Sequence, residues 1–473
     1  MNLLKLPREL IDEILYQATL CRDDKTSVKR SLRMRLVCKY FAEAVYPALF
    51  RTHRLDDAIF KCCFPNYRYK LKRYGVRELW QRYLVYRVTL EQDPTVGRFV
   101  EVRDLARILC GEYASLDYRS VVETLCSLAL DNVERGPAIF REWGSVSCDK
   151  TRPNTNIFRP LYEEVAPDPR LNLLAAAVRL DLPALVEQLL AEGHSPARPN
   201  FLFPPATQVA AECGNEALLR LLLEAREKKG LQPLDASTVF GASVAGRLDL
   251  LKLVLSPAGA SFPHACGCGN GAAPQHSWQT TLLSRAMTAT ESPAVYEYLE
   301  AAWAPGYLRG TLHHELDLVS HAGRGNPGMV RYFLDQRGVP VDGVEEHGNM
   351  DTALAMAVGS GHDDVVDLLL ERGADVNWAR TPKGSSIALR SAVRQGHVGL
   401  ARKLLARGAE LRWNVSGERW TMQAAFHLES ADMVRLLVER GAPLDDVAPK
   451  LRADLLGLGY ETMVDLLDTY TVV

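Results

Sequence analysis

Four groups of residues have the types and spacing that chemistry needs. Gly323-Arg-Gly325-Asn-Pro-Gly328 satisfies G-x-G-x-x-G. That pattern cradles a pyrophosphate when a strand precedes it and a helix starts at its end. His264, Cys266, Cys268 and His276 put four soft ligands in one Gly-rich stretch, PHACGCGNGAAPQH, and such ligands suit zinc. His313-His314 and Cys62-Cys63 are adjacent pairs of ligating or nucleophilic type. The stretch 68–87, RYKLKRYGVRELWQRYLVYR, interleaves basic and aromatic residues, as a single-stranded nucleic-acid surface does.

Each has a plainer explanation. The residues before Gly323 read as a helix, so the glycines fall in a turn between helices and a dinucleotide site is rejected. Cys-x-Cys is not the usual C-x₂₋₄-C spacing of a zinc site, and a flexible loop with free thiols fits better. The histidine pair at a helix start reads as surface, and Cys62-Cys63 as packing. The basic-aromatic stretch reads as an amphipathic helix with Leu, Tyr, Val and Trp inward and a solvated basic face. No Ser/His/Asp or Cys/His set has a motif around it, so no catalytic residue, metal or cofactor is expected.

The elements that carry these residues follow from composition and period. The chain has 473 residues, 47% hydrophobic and 24% charged, with 10 Cys and a net charge of −2. That is ordinary globular composition for roughly two to four domains. It excludes a disordered chain, a collagen and a disulfide scaffold. Charges at Lys5, Arg8, Glu9, Asp12 and Glu13 interrupt the N-terminal apolar run, so a cleaved signal peptide is not expected. Apolar runs fall short of the about 20 residues that span a bilayer. A soluble, reducing compartment is the expectation, cytoplasmic or nuclear.

Residues 352–377 and 387–412 align without a gap at an offset of 35. Gly361-His362 falls on Gly396-His397, and Gly373-Ala374 on Gly408-Ala409. A third copy ends in Leu436-Leu437-Val438-Glu439-Arg440-Gly441-Ala442. Each copy has a short first helix with small residues, a Gly-containing turn, and a second helix with Val365, Val366, Leu368, Leu369 and Leu370 at helical spacing. Gly373 reads as the left-handed residue that ends it. One such pair cannot bury its apolar face alone, whereas stacked neighbours can. The small residue recurs at Ala177, Ala210, Ala242, Ala286, Ala322, Ala357, Ala392 and Ala425, with spacings of 33, 32, 44, 36, 35, 35 and 33. The long spacing holds an insertion, Pro263–Trp278. Leu451–Tyr470 reads as a capping unit. The pattern resembles the ankyrin repeat, a unit of about 33 residues with two antiparallel helices. Thr352-Ala353-Leu354-Ala355 stands where that family has T-P-L-H, so its Pro and His are missing.

At the other end, LLKLPRELIDEILYQATL (3–20) and SLRMRLVCKYFAEAVYPALF (31–50) each carry an apolar stripe. Their order resembles the F-box: Leu6, Pro7, Glu9, Leu10, Ile14, Leu15, Leu36, Val37, Cys38, Lys39 and Phe41 fall where that motif has them. The resemblance implies that Leu6, Pro7, Leu10, Ile14, Leu36, Val37, Cys38 and Phe41 form the face, or its supporting core, for a Skp-type adaptor and through it a cullin. Residues 1–90 carry 19 Lys+Arg against 9 Asp+Glu, and the remainder 37 against 49. A basic head suits an acidic partner, and the Skp adaptors of this family are acidic. An F-box ahead of degenerate ankyrin repeats looks like a filamentous-fungal arrangement.

The expected fold is all-α: an F-box helical bundle over 1–50, a helical linker domain over 51–165, and an ankyrin solenoid of about eight to nine helix pairs over 166–473. The expected function is a non-enzymatic adaptor that recognises a protein substrate for a Skp-cullin-F-box ubiquitin ligase. Trp378, Arg380, Arg390, Arg394, Arg412, Trp413 and Trp420 are the candidate substrate contacts, because Trp and Arg anchor interfaces. Packing of the tryptophans between repeats is the competing explanation. A monomer with no nucleic-acid or membrane partner is expected. The alternatives are an ankyrin scaffold whose head is only a cap, and an enzyme with its site in 51–165. The acidic balance of the repeats suggests a basic partner.

Overall fold

The computed structural model describes residues 7–20, 39–53, 55–56, 76–131, 139, 168–197, 202–228, 236–255, 285–302, 311–343, 351–379, 386–410, 419–442, 444, 448–457 and 459–471. These residues are helices and turns, with no strand among them, so the all-α expectation holds. The chain forms two compact units, Met1–Asp235 and Ala236–Val473. The division falls inside the 166–473 stretch that the period assigns to one array.

In the first unit, α1 (Arg8–Leu20) packs on α2 (Lys39–Arg51). Ile11 and Leu15, four apart and so on one helix face, close against Val45 and Ala48, with Phe41 and Ala44 beside them. Three helices follow, α3 (Val76–Leu90), α4 (Phe99–Glu112) and α5 (Tyr118–Asp131), and each packs on the other two. All three lie within the 51–165 stretch expected to be helical. Phe50 of α2 meets Tyr83 and Tyr86 of α3 at ring centroid distances of 5.2 and 5.5 Å.

Leu79, Trp80, Tyr83, Leu84 and Val88 of α3 are buried, as the amphipathic explanation requires. Its basic face is not simply solvated. Arg77 pairs with Asp131 at 2.8 Å, and Arg82 with Glu78 at 2.6 Å. Arg87 is 1% exposed and holds Asp56, Glu91 and the Tyr83 hydroxyl. Two helix pairs complete the unit: α6 (Pro169–Arg179) with α7 (Pro183–Ala191), and α8 (Ala206–Glu212) with α9 (Glu216–Lys228). The Asp168 carboxylate accepts from the Arg170 N–H, and Pro169 occupies the first turn, which fits both residues to a helix start.

The second unit contains α10 (Ala236–Val244), α11 (Leu248–Leu255), α12 (Pro293–Ala302), α13 (Thr311–Arg324) and α14 (Pro327–Arg331). The last continues through a wider π-type turn, Tyr332–Gln336. Then come α15 (Ala353–Ser360), α16 (Asp363–Glu371), α17 (Ile387–Gln395), α18 (Val398–Ala406), α19 (Arg419–His427), α20 (Ala431–Glu439), α21 (Ala448–Gly457) and α22 (Glu461–Thr471). First helices stack on first helices, α13 on α15, α15 on α17, α17 on α19 and α19 on α21. Second helices do the same, α14 on α16 and α18 on α20.

The eight alanines picked out by period, from Ala177 to Ala425, are each 0% exposed. A larger side chain there would hold stacked helices apart. The Thr352 hydroxyl accepts from the Ala355 N–H at 3.2 Å and caps α15. In the next copy the cap is Ser386, whose hydroxyl accepts from Leu389 N–H at 3.1 Å. Ile387, which aligns with Thr352, has no hydroxyl, so α17 starts one residue earlier in the repeat. Gly361 and Gly396 end α15 and α17 at φ of 79°, a left-handed conformation that glycine adopts without a Cβ penalty.

Candidate protein-docking surfaces

On α1, the residues that face α2 leave Leu10 and Ile14 outside. They are 52% and 42% exposed, and they sit four apart with Pro7 at the exposed helix start. Large apolar side chains this open on one helix face mark an interaction surface better than isolated ones do. Phe41 is half-buried and packs on the α1–α2 core. Leu6, Leu36, Val37 and Cys38 lie outside the described residues.

The repeats present a second surface. Arg390 and Arg394 are exposed on α17. Trp378 instead packs partly buried against the core of the second unit, and its carbonyl accepts from the Ile387 N–H at 3.1 Å. It acts in the repeat's packing. Arg380, Arg412, Trp413 and the Trp420 side chain lie outside the described residues, as do the His264–His276 cluster and Cys62-Cys63. Among the described residues, no group of three His, Cys, Asp or Glu side chains could hold a metal ion. No helix among them is long and apolar enough to cross a membrane.

Side chains tie neighbouring repeats together beneath these faces. Lys403 of α18 bridges Asp363 and Asp367 of α16 at 2.7 and 2.8 Å. The Asp375 N–H donates to Asp342 at 2.8 Å, and the Glu410 N–H donates to Asn377 at 2.8 Å. These bonds fix the tips of successive repeats at one spacing.

The three glycines of G-x-G-x-x-G have separate packing roles. Gly323 lies in the last turn of α13, where a Cβ would press on Met356 at 3.2 Å. Gly325 has φ +74°, and a Cβ there would meet the His362 ring at 2.3 Å. Gly328 sits within α14. A helix precedes the motif, and of its glycines Gly325 lies in the inter-helix turn, so no strand-to-helix phosphate cradle forms.

Sequence reasoning missed a polar cluster between α12, α13 and α14. Arg337 grips both oxygens of Glu300 at 2.7 Å. His314, expected at the surface, lies half-buried with Nε2 2.7 Å from Glu300. The difference arises because α13 packs beside α12, which brings Glu300 to a histidine 14 residues away. The Tyr296 hydroxyl donates to Asp317 at 2.6 Å. Burial raises the Asp317 carboxyl to about 6, against the pull of Tyr296 and His314. One turn further along α13, His321 is 0% exposed and neither ring nitrogen makes a hydrogen bond of normal geometry. Burial pushes it down to about 3, with Arg324 adding to the effect.

These two groups make opposite contributions to stability against pH. Asp317 has a folded value above the ordinary carboxylate value of 3.8, so its contribution is complete below that value and is lost as pH rises through about 6. His321 has a folded value below the ordinary imidazole value of 6.5, so its contribution is complete above that value and is lost as pH falls toward about 3. Between about pH 6 and 4 they oppose each other. Relative to the wild type, D317N is expected to lose midpoint more steeply on acidification. H321L is expected to lose it less steeply, the difference approaching about 1.4 kcal/mol per pH unit. Thermal melts across pH 4–7.5 check this, and parallel profiles for all three proteins would contradict it.

Residues 352–405 match the family model described as ankyrin repeats in many copies. This covers α15, α16, α17 and most of α18, so this part of the second unit is an ankyrin repeat region. Such regions serve protein–protein interaction. No curated protein matches the chain.

Proposed function

We propose that this protein is a non-enzymatic adaptor. Its head resembles an F-box and docks a Skp-type adaptor, and through it a cullin. Its ankyrin repeats, read as a solenoid extending on both sides of residues 352–405, hold a protein substrate for ubiquitin transfer. The work belongs to the cytoplasm or nucleus. The observation that carries the head's part is the open pair Leu10 and Ile14 on α1, whose opposite face already has its partner in α2. The basic balance of residues 1–90 favours encounter with an acidic adaptor.

The test is co-purification of the full chain with a Skp adaptor, beside the double variant L10D/I14D. Both positions are exposed, so the variant is expected to keep its helical circular dichroism and melting point while binding falls at least tenfold. Well-folded wild-type protein that fails to bind would leave the alternative, an ankyrin scaffold whose head is only a cap.

A further inference from the structure

Acids are unevenly spread among the helices around residues 352–442: α16 has Asp363, Asp364, Asp367 and Glu371, and α20 has Asp432 and Glu439, whereas α18 has none. The first helices α15, α17 and α19 contain no Asp or Glu at all. The acids nearest the repeat tips are engaged in turns, Asp342 accepting from the Asp375 N–H and Asp375 from the Asn377 N–H. On these acid-free helices Arg390 and Arg394 stand exposed, with no side-chain hydrogen bond or ion pair to either among the described residues. The corresponding positions on α15 are the small, buried Ala355 and Gly359. On α19 they are Gln423 and the exposed His427. The two guanidiniums therefore rise beside a low strip, and neither their own helix nor the two first helices stacked on it carries an acid.

We infer that the first-helix layer around Arg390 and Arg394 docks an acidic, extended peptide segment of the partner protein, with carboxylates two residues apart. This rests on the reading of the repeats as the substrate-holding part. Four residues along a helix advance about 6 Å. Alternate residues of an extended chain point to one side and are about 6.6–6.8 Å apart. Each guanidinium fork takes one carboxylate bidentately. The net acidity of the repeats thus does not describe this patch, because α15, α17 and α19 carry no acid.

The experiment uses the full chain and a fluorescein-labelled peptide containing Glu-Ser-Glu-Ser-Glu, read by fluorescence anisotropy. Saturable binding is expected, weakened at least tenfold in R390E/R394E and unchanged in R402E/R435E, which alters second helices. No saturable binding at millimolar protein, or equal loss in both variants, overturns the proposal. Tighter binding of the same peptide with phosphoserines, lost in R390E/R394E, also overturns it and assigns the arginines to a phosphorylated partner. Skp co-purification reports on the head alone, so its failure is separable from failure here.

Discussion

R87L is expected to destabilise the N-terminal unit by about 3–5 kcal/mol, the usual cost of removing one partner from a buried ion pair. The side chain is 1% exposed. It donates to Asp56, to Glu91 at 2.9 Å and to the Tyr83 hydroxyl at 3.0 Å, and it lies 4.5 Å from the centre of the Phe99 ring. Tyr83 also donates to Asp56 at 2.6 Å. Leucine would fill part of the volume, but it would leave the Asp56 and Glu91 carboxylates facing each other without their cation.

Most of the cost is thus the charge left behind rather than the pair's net worth. The triple variant R87L/D56N/E91Q is therefore expected to recover a substantial part of the loss. Hydrogen exchange localises the effect: amides of α3 and α4 should lose protection in R87L and regain some in the triple variant. If R87L melts like the wild type, the network contributes nothing to stability.

L369A is expected to cost about 2–5 kcal/mol, the range for truncating a leucine in a packed core. Leu369 is 0% exposed in α16 and belongs to the continuous core that runs through the second unit. Stacked repeats derive much of their stability from the interfaces with their neighbours. The loss should therefore reach α15, α14 and α18 as well as α16. Urea unfolding followed by circular dichroism gives the size, and exchange protection gives the spread. A loss confined to α16 would mean that the pairs are energetically separate. Leu370, the next residue, is half-buried and packs only at the core's margin, so L370A should cost clearly less.

Much of the fold was legible because it is local and periodic. The eight alanines found by period are all fully buried, and the second helices begin within a residue or two of where their apolar stripes begin. Pro and Gly punctuation placed the helix ends, since φ preferences act within a few residues. The ankyrin match at residues 352–405 agrees with the copies that align best by eye. Arg390 and Arg394 were chosen because arginine anchors interfaces, and both are exposed on α17.

Other features depended on contacts between residues far apart in sequence. Arg87 looked like part of a solvated basic face until α3 packed against Asp56, 31 residues away. Trp378 looked like an anchor, yet it is held by the core and by Ile387. His314 looked like surface, but α12 brings Glu300 and α14's continuation brings Arg337. The sequence alone therefore determined the helices, their period and the residues that let them stack, because each depends on neighbours within a turn or a repeat. Tertiary structure decided which charges are buried and paired, and that Arg390 and Arg394 stand exposed on a helix whose two stacked neighbours carry no acid. A charge's environment depends on solvent exclusion and on partners that only packing brings within a few ångströms.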